Sequence, residues 1–121
     1  MTGTAFRFMI LSVLMLLIGM VWGLQMGASE DHTHVPAHAH LNLVGGVLFA
    51  VFALFYHSVP AAAASGLARV HFPVALLGVA AMVPGIALHH TGGTEALVIA
   101  GSVITIASMA IFLVVVLRSK T

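Results

Sequence analysis

Four apolar stretches, each about twenty residues long and nearly free of charge, decide what this chain can fold into. They cover about Arg7 to Gly27, His38 to His57, Val70 to His90 and Glu95 to Leu117. A helix needs roughly 20 residues to cross a hydrocarbon core of about 30 Å. In lipid the backbone must also satisfy its own hydrogen bonds, which a helix does within one segment. The expected fold is all-α, a four-helix transmembrane bundle making a single membrane domain over residues 1–121. Little chain is left between the spans, so function is expected in the bundle or at its two faces, with no nucleic-acid partner. Small residues at Gly27, Ala28 and Ser29 follow the first run as a signal cleavage site would. That run exceeds a signal core of about 7 to 15 residues, so a retained helix is expected.

The few charges orient the bundle. Arg7 precedes the first span, Arg69 lies in the second connection, and Arg118 and Lys120 follow the fourth, while Glu30, Asp31 and Glu95 fall on the other side. The positive-inside rule then predicts both termini in the cytoplasm and the first loop outside. For a bacterial inner membrane, that loop faces the periplasm.

Histidine is the chemistry that remains. The chain has no cysteine, which excludes disulfides, thiolate nucleophiles, iron–sulfur clusters and the thioether attachment of c-type haem. It has 8 histidines, against 4 Lys and Arg and 3 Asp and Glu together. They sort into two layers. His32, His34, His38 and His40 lie in or just below the outer loop, and His89 and His90 end the third span at a similar depth. His57 and His71 lie at the inner ends of spans two and three. The step from His71 to His89 is about 27 Å of helix, so one compact site cannot use both layers.

In an extended loop His32 and His34 point the same way and are placed to chelate one surface ion. Once a helix starts after Pro36, His38 and His40 are about 200° apart, so one faces the bundle and the other faces away. A stripe of Asn42, Gly46, Ala50, Ala53 and His57 follows on span two, and one of His71, Gly78, Gly85 and His89 on span three. Small and polar faces of this kind mark close helix approach, and the two are expected to meet. Such stripes serve packing more often than cofactors, and histidines at helix ends often just reach interfacial water. His40 is different, because an ionisable residue entering a membrane helix beside an Asn marks a functional site by default. Pro73 is expected in the first turn of helix three, Pro84 to kink that helix, and Thr94 to cap helix four ahead of Glu95. The stripe Gly101, Thr105, Ser108 and Phe112 offers a face for a homo-oligomer contact.

The segment HAHLNLVGGVLFAVFALFYHSVP, His38 to Pro60, resembles the second transmembrane helix of subunit I of the haem–copper oxidase superfamily, particularly its nitric oxide reductase-like branch. The resemblance rests on the His-Leu-Asn-Leu opening, the glycine and aromatic body, and Tyr56 followed by Pro60. It implies that His40 is an axial ligand of a b-type haem. The rest of the chain matches only as a hydrophobic pattern. The family's further helices, which carry the second axial histidine and the active-site metal ligands, have no counterpart in the four spans. No Asp, Glu, Lys or Arg lies in the membrane interior to relay protons. A self-sufficient oxidase is therefore not expected.

A b-type haem needs one or two axial histidines and a slot between helices. For His40 the candidate partners are His89, His90 or a His38 or His40 of another protomer, with Asn42 as a hydrogen-bonding neighbour and Gly45, Gly46 and Gly85 as makers of space. Three functions follow. The first is a haem b membrane protein for electron transfer, gas sensing or service to a respiratory enzyme. The second is copper or zinc binding or trafficking through His32, His34, His38 and His40, since imidazole suits both metals. The third is a structural or assembly subunit whose histidines are incidental. Partners in each case are membrane lipid and either further copies of the chain or a respiratory complex.

Overall fold

A computed structural model describes all residues, 1–121, and consists of helices and short connections only. Four helices are long and apolar enough to cross a membrane, as a multi-pass membrane protein requires: α1 (Gly3–Ser29), α2 (Val35–Ser58), α3 (Gly66–His90) and α4 (Ala96–Arg118). A single helical turn, Pro60–Ala63, links α2 to α3. The bundle is all-α, as the apolar runs require.

Helices α1, α2 and α3 are longer than their apolar runs, α4 is shifted by one residue, and local chemistry explains where they start. Pro36 falls in the first turn of α2, where its missing N–H goes unused. The Ser65 hydroxyl accepts the Ala68 N–H at 3.2 Å and so starts α3 at Gly66 rather than Val70. This corrects the placement of Pro73, which lies inside α3 and not in its first turn. The Thr94 hydroxyl accepts the Ala96 N–H at 3.2 Å ahead of α4. Helix α1 ends at Glu30 in the left-handed region, with φ 58°.

Within α2, residues Leu41–Val47 form a π-helical segment between two α-helical stretches, beginning immediately after His40. Segments with i→i+5 hydrogen bonds are rare, and those that persist cluster at functional sites. Here the segment places Gly45 and Gly46 against α1. A Cβ on Gly45 would collide with the Met15 sulfur, and one on Gly46 with the Leu16 side chain. The buried Ser12 hydroxyl donates to the Gly46 carbonyl at 2.6 Å across the same interface.

The small faces therefore do not meet as the stripes on spans two and three suggest. The glycines of α2 meet α1, while those of α3 meet α4. A Cβ on Gly78 would lie 3.0 Å from the Thr105 backbone nitrogen, and one on Gly85 would lie 2.6 Å from that of Val98. Gly101 abuts the Met82 backbone in return. The Gly101, Thr105, Ser108 and Phe112 stripe is thus turned inward onto α3 and the core. Lipid gives little hydrophobic drive between helices, so these close approaches, and the dispersion they allow, hold each pair. The fold is two glycine-zipped hairpins joined by an aromatic core.

Candidate functional site

At the outer end, His38 and His40 leave α2 in different directions. His38 turns to α1, edge-on to Trp22 at 6.0 Å and against Gly23, where a Cβ would lie 3.2 Å from its Cε1. Asn42 donates to its Nε2 at 3.2 Å, and the amide of Asn42 fills the space beside Gly19. His34 lies beside the same Trp22 at 5.9 Å, with a buried Nδ1 that has no partner. These residues make a contiguous polar seam along α1.

His40 is half-buried and stands apart from that seam. Its Nδ1 lies 2.7 Å from the Pro36 carbonyl. A carbonyl oxygen only accepts, so Nδ1 carries the proton and donates. The neutral ring then keeps its lone pair on Nε2. Histidines that bind metal use this arrangement, with one ring nitrogen held by a backbone carbonyl and the other free to ligate. His90 repeats it, its Nδ1 donating to the Ile86 carbonyl at 3.0 Å.

The two rings are nevertheless offset. Ala37, fully buried, packs with Met82 and Ile86 of α3. His40 lies three residues inward of Ala37, and His90 lies four residues outward of Ile86. At 1.5 Å per residue this separates them by roughly 10 Å along the bundle axis. His89 and His90 are both exposed and meet each other edge-on at 6.0 Å. His32 is exposed in the loop, and no group of three or more His, Cys, Asp or Glu side chains converges anywhere in the chain. The outer histidines are crowded in sequence but dispersed in space.

The haem slot fares no better inside the chain. Met15 and Leu16 occupy the space at Gly45 and Gly46, and the α4 backbone occupies that at Gly85. The donor chemistry at His40 suits an axial haem ligand, but the room proposed for a porphyrin is filled by helix packing.

At the inner end, sequence reasoning gave His57 and His71 equal weight, and the structure separates them. His57 is exposed. His71 is fully buried among Phe8, Phe52, Tyr56 and Phe112, with ring centroids at 5.1, 4.5, 5.8 and 5.4 Å. Its Nδ1 lies 2.9 Å from the Tyr56 hydroxyl, while its Nε2 is buried without a partner. The Tyr56 and His71 pair was not legible as a pair. Only the aromatic cluster Phe49, Phe52, Phe55 and Tyr56 in the inner half of span two hinted at a core there.

In the outer loop, the Thr33 hydroxyl donates to the Asp31 carboxylate, as does the Thr33 N–H at 3.0 Å. These bonds hold the Asp31 carboxyl below its ordinary range, the hydroxyl contributing most. Comparisons with family models, curated proteins and solved structures find no match to this chain.

Proposed function

We propose that the protein binds a b-type haem through His40 at a surface completed by a second chain, and serves electron transfer or gas sensing rather than turnover. The observation that carries this reading is the posture of His40, with Nδ1 held by the Pro36 carbonyl at 2.7 Å and Nε2 free at the edge of the bundle. Its place at the start of the π-helical segment supports the reading, as does the resemblance of His38 to Pro60 to an oxidase helix. The packed glycines and the axial offset of His90 argue for a second ligand from another chain, either a further copy or a respiratory partner. When bound, haem supplies a one-electron couple or a site for a diatomic gas. The chain's own part is to orient one axial imidazole, and Nδ1 donation makes that ligand more basic. The charge bias supports cytoplasmic termini and a periplasmic His32 to His40 loop in a bacterial inner membrane.

The test is an absorption spectrum of detergent-purified protein, oxidised and dithionite-reduced, with metal analysis of the same sample. A Soret band with about one iron per one or two chains is expected. His40→Ala should abolish the band, and His32→Ala with His34→Ala should leave it. Persistence of the band in His40→Ala refutes the assignment. A colourless protein carrying copper or zinc that is lost in the His32 and His34 variants would move function to the loop. A colourless, metal-free protein after haem-supplemented expression would leave the structural-subunit role.

A further inference from the structure

All four Lys and Arg residues of the chain lie at the inner end, and two of them, Arg7 and Arg69, share a cavity. It has a volume of about 610 Å³ and is partly open. The start of α1, the end of α2, the linking turn and the start of α3 enclose it. Arg7 and Arg69 line it together with Thr4, Tyr56, His57 and Pro60. The Arg7 guanidinium is held over the Phe72 ring at 5.9 Å, so it is seated rather than free. Phe72 in turn packs on Phe8 at 5.1 Å, which ties that seat to the aromatic core.

No acid balances these guanidinium groups. The chain's three acidic residues are Glu30, Asp31 and Glu95, in the connections at the other end of the bundle. The Thr2 side chain caps none of the first-turn N–H groups of α1, and Thr2, Gly3, Thr4 and Ala5 line the same cavity. Tyr56 contributes to the wall with its hydroxyl engaged by His71, so the charged side chains there are those of Arg7 and Arg69, with Met1 also in the lining. Two guanidinium groups with no acidic partner, lining one partly enclosed cavity beside the uncapped start of α1, match a tetrahedral oxyanion, which guanidinium binds in bidentate fashion.

We infer that this inner cavity binds a phosphate-class oxyanion, held by Arg7 and Arg69. The ligand is either the headgroup of an anionic phospholipid or a free phosphate. The site is independent of His40 and of haem.

Full-length protein in an uncharged detergent is titrated with inorganic phosphate, with short-chain phosphatidylglycerol and with short-chain phosphatidylcholine, at about 0.15 M salt to suppress diffuse attraction. The readout is the heat-unfolding midpoint, with native mass spectrometry for retained adducts. A saturable rise with phosphatidylglycerol but not with phosphate identifies a lipid headgroup. A rise with phosphate identifies a free oxyanion. In Arg7→Gln/Arg69→Gln the apparent affinity should fall at least about tenfold, while Arg118→Gln/Lys120→Gln should bind as the wild type does. If the first variant fails to fold, Arg7→Lys/Arg69→Lys keeps the charge and should still bind severalfold more weakly, because it loses the planar fork. The inference is overturned by no response to either anionic probe or an equal response to phosphatidylcholine. Equal loss in the Arg118 and Lys120 variant, or unchanged binding in the variant of Arg7 and Arg69 that folds, would overturn it as well.

Discussion

The outer and inner ends of this bundle use histidine in opposite ways. At the histidine-rich end six histidines are half-buried or exposed and spread in depth, with His40, His38 and His90 held by different partners. Inside, a single His71 is fully enclosed by aromatic rings and tied to Tyr56. The outer end is spaced by glycines and a π-helical segment that bring α2 close to α1. The inner end is filled by four aromatic side chains that interlock around one imidazole. Abundance in the sequence therefore marks where a ligand can be presented, whereas burial marks where the fold is held.

That contrast can be broken experimentally. Deleting Gly45 should convert the π-helical segment to ordinary α-helix and rotate His40 by about 100° relative to the inner half of α2. Circular dichroism should show the helix content kept, while the Soret band proposed to depend on His40 is lost entirely. A retained band would show that the segment does not position that ring. Phe8→Ala should cost about 3 kcal/mol in reversible denaturation, the low end for a buried aromatic because lipid leaves mainly the packing loss. Trp22→Ala at the half-buried outer seam should cost clearly less, and equal losses would erase the distinction between the two ends.

A smaller effect is expected from Tyr56→Phe, about 1 kcal/mol, because it leaves both ring nitrogens of His71 unpartnered. A double-mutant cycle with His71→Phe should show the two changes coupled, and strict additivity would mean that the hydrogen bond contributes nothing. The smallest effect belongs to the outer loop. Asp31 has its carboxyl held below the ordinary value of 3.8, so its contribution is present above that pH and disappears as pH falls through the lowered value. Thr33→Val should weaken this acid-side dependence, since the hydroxyl bond is lost and the N–H bond stays, measured by NMR titration of Asp31. An unchanged titration would show that Thr33 does not set it.

Some of this was written plainly in the chain. Four runs of about twenty apolar residues can satisfy their backbones in lipid only as helices, so fold class followed from length and hydropathy. The divergence of His38 and His40 followed from helical geometry, although only the structure shows that His38 is the one facing α1. The pairing of small faces was beyond reach, because a glycine stripe states that something comes close without stating what. Gly45 and Gly46 meet α1, and Gly78 and Gly85 meet α4, through choices made by the whole set of interhelical contacts. The π-helical register after His40 and the enclosure of His71 have the same origin. Sequence alone determined that the chain forms four helices able to span a membrane and that histidine is its main polar chemistry. Tertiary structure decided which histidines are buried and which can be presented, because in lipid the contacts between helices depend on shape more than on hydrophobicity.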